Sequence, residues 1–100
     1  MSLEIIFTPK ARDSFLSIIS LIQSNWGDRS ADKFVDKTYK ILNTISKQPY
    51  LFKAYQENDV RIALITKQTS VVYRVLHDRI EVLFFWDNRQ EPIIGVLERL

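Results

Sequence analysis

The sequence predicts a single α+β domain in which a helical hairpin packs on an antiparallel sheet. Three observations carry this reading. Apolar residues recur at helical spacing from Ala11 to Ile45, the alternation changes to strand spacing after Val60, and the breaks between segments are short enough for hairpins. A chain of 100 residues holds one core, so 1–100 is read as one domain.

Leu3-Glu4-Ile5-Ile6-Phe7 reads as a short strand ended by Thr8-Pro9. Thr8 suits a helix N-cap, and Pro9 suits the first helical position, where its missing N–H costs nothing. Ala11, Phe15, Ile18, Ile19, Ile22 and Trp26 then form one apolar stripe, and Gly27 stands where a left-handed C-terminal cap is needed. Asp28 or Ser30 is placed to cap a second helix with the stripe Ala31, Phe34, Val35, Thr38, Leu42 and Ile45, which Pro49 stops. The short Trp26-Gly27-Asp28 connection makes the pair an antiparallel hairpin. Residues 49–59 read as a loop lined by Tyr50, Phe52 and Tyr55. Val60–Thr66, Val71–His77 and Ile80–Trp86 follow as three strands rich in β-branched and aromatic residues. Their short connections, Lys67–Ser70 and Asp78-Arg79, predict a three-stranded antiparallel meander. Asn88–Leu100 reads as a short helix or a tail.

Composition narrows the function classes. The chain has no cysteine, which excludes disulfides and thiolate metal sites, and its two glycines exclude a glycine-rich phosphate loop. No metal site, cofactor or nucleophile–histidine pair is expected. Met1–Lys10 contains Glu4 and no signal-peptide-like apolar run. The apolar stretch Leu83-Phe84-Phe85-Trp86 is far short of the ~20 residues that span a bilayer. A cytoplasmic chain without a membrane partner is the expectation. A net charge of +2 with a pI near 9.0 permits nucleic acid or an acidic partner without demanding either.

Strand alternation divides the sheet into two faces. Ile62, Leu64, Val71, Tyr73, Val75, Ile80, Val82, Phe84 and Trp86 are expected to face the helices. Arg61, Ala63, Ile65, Val72, Arg74, Leu76, Glu81, Leu83, Phe85 and Asp87 are expected on the opposite face, with Arg89 beyond its edge. Arg61, Arg74 and Arg89 would then converge around a half-apolar surface.

Element order and local phrases together resemble the RelE/ParE toxin superfamily of type II toxin–antitoxin systems. The matching phrases are Phe7-Thr8-Pro9-Lys10-Ala11, Trp26-Gly27 followed by Ala31 and Phe34, then Pro49, Val60-Arg61 and Val72-Tyr73-Arg74-Val75. Phe85-Trp86-Asp87-Asn88-Arg89-Gln90-Glu91-Pro92 closes the series, and this ending is similar to the ParE-like branch. The resemblance spans residues 3–92. It implies a toxin neutralised by a small antitoxin in a toxin–antitoxin hetero-oligomer. Ile65, Val72, Leu83 and Phe85 are the expected landing residues on the second sheet face. It also implies either of two targets. ParE-like members poison DNA gyrase and are not known as nucleases; RelE-like members cut mRNA on the ribosome. Against the RelE pattern, Arg61 and Arg89 occupy basic positions. Ala63 and Ser70 stand where a lysine and an arginine are expected, and no tyrosine follows Tyr73. Whether the chain is an enzyme depends on which branch it follows.

Each candidate has a plainer role beside the functional one. His77, the only histidine, reads first as a turn-flanking residue with a backbone partner and second as a catalytic base. Glu81 reads as the cross-strand partner of Arg74, so Arg74 is equally a phosphate contact or half of an ion pair. Arg89 with Asp87 reads as a turn brace or a binding pair, and Arg61 as a binding residue. Tyr50, Phe52 and Tyr55 read as loop staples before base-stacking platforms. Lys33, Lys37 and Lys40, interleaved with Asp32 and Asp36, read as a solvated helix face.

Overall fold

The structure, a computed structural model, describes residues 2–55 and 59–98, without the side chain of Ile94. Part of the predicted loop, 56–58, and the last two residues of the predicted C-terminal stretch lie outside the described residues. β1 (Glu4–Phe7) runs into α1 (Pro9–Trp26). Thr8 is the N-cap: its hydroxyl oxygen accepts from the Ala11 N–H at 3.0 Å, and Pro9 opens the helix. α2 (Asp28–Lys47) returns antiparallel to α1 after Gly27 alone. Gly27 holds φ +91° and ψ 177°, which is glycine territory although not the left-handed helical cap the sequence suggests. Neither Asp28 nor Ser30 caps α2. Gly27 takes the cap position, and Asp28 instead accepts from Gln23 Nε2 at 2.7 Å.

β2 (Ala54–Tyr55), β3 (Val60–Leu64), β4 (Thr69–Val75) and β5 (Arg79–Asp87) join β1 in one sheet of order β1-β5-β4-β3-β2. β3 to β5 form the predicted antiparallel meander, and β1 adds in parallel to β5. β2 lies inside the stretch read as loop, where it pairs Ala54 with Arg61 and Tyr55 with Val60. α3 (Ile93–Glu98) is the short C-terminal helix.

The helices lie on one sheet face. Ala11 and Phe15 from α1, and Phe34, Leu42 and Ile45 from α2, bury against Val71, Tyr73, Val75, Ile80, Val82 and Phe85. Burying each large side chain contributes roughly 1.5–3 kcal/mol. Phe7, Phe15, Phe34 and Phe85 make an aromatic cluster whose Phe15–Phe85 rings stack at 4.8 Å. Trp26 departs from the predicted stripe. At 58% exposure it stands at the hairpin tip.

Two features overturn the face assignment read from alternation. On β5 the pairing runs Val72↔Phe84 and then Tyr73↔Val82, so Leu83 is an extra residue in a bulge. Phe84 and Trp86 therefore turn away from the helices, and Phe85 enters the core. On β3 the register is Ile62↔Val72 and Ala63↔Val71, which puts Ala63 and Ile65 in the core and Ile62 on the second face. The bulge is held from α1. Thr8 donates its hydroxyl to the Leu83 carbonyl at 2.8 Å, and Ser14 Oγ accepts the Phe85 N–H at 2.9 Å. These side chains take over backbone groups of β5 beyond Val82, where pairing with β1 ends.

The second face is not bare. Leu97 of α3 buries on Val72 and Phe84, with Tyr55, Val60, Ile62, Leu83, Trp86 and Ile93 packed around them. Tyr55 donates to Glu98 at 3.3 Å, and Trp86 Nε1 to the Glu91 carbonyl at 2.8 Å, which fastens the C-terminal segment over the sheet.

Candidate functional site

The three arginines do not converge. Register sets Arg61 opposite Tyr73 and Arg74 opposite Val60, so the two side chains leave the sheet on opposite faces. Arg61 is a clamp on the 49–55 segment. It donates to the Phe52 carbonyl at 2.6 Å and to Asp59 at 3.2 Å, and it lies 4.9 Å over the Tyr50 ring. Only 12% of its side chain is exposed. Below it, the Tyr73 hydroxyl donates to the Pro49 carbonyl at 3.2 Å. Burial pushes the Tyr73 phenol up to about 12, against a smaller opposing pull from Arg61. Phe52 packs on the core and Tyr55 under α3, so both act as staples; Tyr50 stays exposed beneath Arg61.

Arg74 is the cross-strand partner of Glu81, at 3.3 Å, with Arg79 4.0 Å from the other carboxylate oxygen. His77 is 92% exposed on the β4–β5 turn, its Nδ1 3.8 Å from Asp78, and not turned toward the core as alternation suggests. The expected antitoxin residues are covered: Ile65 and Phe85 lie in the helix-side core, Val72 is fully buried under α3, and Leu83 is half-buried beside it.

Arg89 is the candidate that faces open space. Asp87 accepts its backbone N–H at 2.9 Å, its Nε–H at 3.0 Å and an Nη2–H at 2.8 Å. This hydrogen bonding lowers the Asp87 pKa against the opposing effect of burial, and raises that of Arg89. The turn itself is anchored: the Asn88 N–H donates to the Gln68 carbonyl at 2.6 Å, and its side chain bonds buried Ser70. So fixed, the guanidinium lies 5.8 Å over the Trp26 ring.

Arg89 and Trp26 line a groove of about 420 Å³ between the helical hairpin and the β3–β4 turn. Ile18, Ile22 and Phe34 supply its apolar lining; Ser30, Lys33, Lys37, Thr66, Gln68 and Thr69 supply polar groups. The groove brings Arg89 to Lys33 and Lys37, two lysines of the helix face that patterning assigns to solvent. A signal was present, because Ser30, Lys33, Phe34 and Lys37 share one helix face at i, i+3, i+4 and i+7. His77 stands at the far end of the sheet. β4 separates the Thr69↔Asp87 pair from the Val75↔Ile80 pair by about 20 Å at strand rise. Among the described residues no cluster of His, Asp and Glu could hold a metal ion, and no helix is long and apolar enough to cross a membrane.

This architecture is the RelE/ParE toxin fold. A chain of the chromosomal ParDE toxin–antitoxin system from P. aeruginosa superposes with a TM-score of 0.72 at 17% identity, over 86% of this chain and 96% of that one. The YoeB/ParE toxin from Agrobacterium tumefaciens superposes at 0.63 and 15% identity, over 85% and 98%. The toxin–antitoxin complex RelBE2 from Mycobacterium tuberculosis gives 0.61 and 15%, over 87% and 99%. The family model described as the ParE toxin of the type II toxin–antitoxin system parDE matches residues 5–92. The chain therefore belongs to the ParE toxin family of type II toxin–antitoxin systems. No curated protein matches its sequence.

Proposed function

We propose that this toxin arrests growth by a ParE-like action, binding and poisoning DNA gyrase in the cytoplasm, and that a cognate antitoxin neutralises it. The observation that carries this reading is the chemistry around Arg89. In-line RNA cleavage needs a general base, a general acid and charge stabilisation at one phosphate. The groove offers Lys33, Lys37 and Arg89 for charge, while Glu81 and His77 stand elsewhere on the sheet. Ala63 and Ser70, at positions where a RelE-like set has basic residues, are buried, and Tyr73 is spent on Pro49. An oriented cationic surface suits protein binding better than phosphoryl chemistry. Antitoxin control is supported by family membership and by the toxin–antitoxin assemblies among its structural relatives.

The test is induction in cells, with growth, transcripts and chromosome integrity followed together. DNA breaks with intact transcripts are expected, together with purified chain inhibiting gyrase-catalysed supercoiling. Codon-specific mRNA cleavage on ribosomes with intact DNA would replace this reading by the RelE-like one.

A further inference from the structure

We propose that the exposed flank of α2 binds duplex DNA through its phosphate backbone. Arg29, Lys33, Lys37, Lys40 and Lys47 form the contact line, and Arg89 flanks it. This deepens the gyrase reading and rests on it only for where the toxin would meet DNA, since gyrase holds a duplex.

The two signs of charge are sorted on α2. At about 100° per residue the five cations fall within one sector of ~80°, and Asp28, Asp32 and Asp36 within the next. The basic sector borders the groove, where Lys33 and Lys37 line one wall and Arg89 another. The acidic sector turns toward Tyr39 and Asn43, beside β1. Asp28-Arg29, Asp32-Lys33 and Asp36-Lys37 thus cancel in composition but not in space. All five cations are exposed, and none has a salt-bridge partner among the described residues. Lys67, also exposed, stands in the β3–β4 turn between Thr66 and Gln68 of the groove wall.

A line of cations fits a line of anions. α2 rises ~1.5 Å per residue, so Arg29 to Lys47 covers about 27 Å, the axial length of roughly eight phosphates on one strand. A single carboxylate is met by cations that converge on it, as Arg74 and Arg79 do on Glu81. Single strands are poorly served, because their bases stack on free aromatic faces. Beside this ridge the Trp26 ring carries the Arg89 guanidinium, and Phe34 is only 3% exposed. The opposite side of α2 is buried through Phe34, Leu42 and Ile45, so the helix lies along the backbone rather than in a groove of the duplex. Phosphate contacts of this kind hold DNA without reading its sequence.

The experiment follows the anisotropy of a fluorescent duplex of about 20 base pairs, of arbitrary sequence, titrated with the full chain over a salt series. Three proteins are compared: the parent, K33Q/K37Q, and R12Q/K53Q, which removes two exposed cations away from the ridge. Circular dichroism checks that each keeps the parent fold. Expected is a parent affinity that falls linearly with salt on logarithmic axes. K33Q/K37Q should lose about tenfold or more at low salt, its slope shallower by about 2, while R12Q/K53Q stays within about threefold. A parent without affinity at low salt overturns the proposal. Equal losses in both variants also overturn it, since net charge and not the ridge would then be read. Tighter binding to a double-stranded or single-stranded RNA of the same length overturns the assignment to DNA. A parent that binds the duplex yet leaves gyrase supercoiling untouched upholds the ridge and removes the gyrase reading. One that inhibits gyrase without duplex affinity does the reverse.

Discussion

Replacing Arg61 by alanine should destabilise the fold rather than remove a contact to the target. The guanidinium bonds the Phe52 carbonyl at 2.6 Å with only 12% of the side chain exposed, and a hydrogen bond from a charged donor there is worth roughly 1.5–3 kcal/mol. Its place over the Tyr50 ring adds about 0.5–1 kcal/mol. The half-exposed Asp59 pair adds roughly 0–1 kcal/mol. Against these, Arg61 Nε is buried without a hydrogen-bond partner among the described residues, at a cost on the order of 1 kcal/mol. The balance is a loss of about 2 kcal/mol, a midpoint lower by about 10 °C in a domain of this size. Arg61→Lys should recover little, because one ammonium cannot both reach the carbonyl and lie flat on the ring. The assay is urea unfolding followed by tryptophan fluorescence, with Arg89→Ala as comparator. Arg89 is 46% exposed and its carboxylate partner is two residues away, so its loss should leave the urea midpoint close to the parent's. An Arg61→Ala protein as stable as the parent yet unable to arrest growth would refute the reasoning. Arg61 would then meet the target rather than the loop.

Three further outcomes follow from the same structure. Gly27→Ala should destabilise by about 1–3 kcal/mol purely through its φ of +91°, since a Cβ there meets nothing within 4 Å; an unchanged urea midpoint would contradict this. Asp87, with its folded pKa lowered chiefly by Arg89, should contribute stability that is present above the ordinary aspartate range and lost as pH falls through the lowered value. A carboxyl-carbon NMR titration should find it titrating low in the parent and closer to an ordinary aspartate in Arg89→Ala. Tyr73, pushed up to about 12, stabilises the fold fully below the ordinary tyrosine pKa of ~10 and should lose that contribution as pH rises toward 12. In an absorbance titration of the folded chain one tyrosine should ionise well after the others, and simultaneous ionisation of all four would rule this out.

Where the sequence carried a polar phase, the fold was legible. Both helices have apolar stripes flanked by charge, and Thr8-Pro9 and Gly27 mark their ends with residues chosen for backbone reasons. The meander was legible for the same cause, since Lys67–Gln68 and Asp78-Arg79 interrupt β-branched runs. The faces of the sheet were not. Every residue of β4 except Arg74 is buried, because α1 and α2 cover one side and α3 the other. A strand covered on both sides reads as a continuous apolar run, and alternation then has no phase to report. With no phase, a slip of one residue on β3 or an extra residue on β5 leaves no trace in composition.

The consequence for the site is that local partnerships survived and long-range ones did not. Asp87-x-Arg89 and Arg74–Glu81 are joined through two residues of chain and one tight turn, so their spacing alone brings the charges together. Arg61's partners are Tyr50, Phe52 and Asp59, outside its own strand, and Tyr73 holds Pro49 beside the first two. Its isolation from Arg74 depends on a register that alternation could not set. The bulge at Leu83 works similarly at the other end. By turning Phe85 inward it stacks that ring on Phe15, and by turning Phe84 and Trp86 outward it makes the bed on which Leu97 rests. A surface that would have been an open apolar landing site is thereby closed. The cationic groove of Arg89, Lys33 and Lys37 stays open, assembled from the helix flank that patterning assigned to solvent.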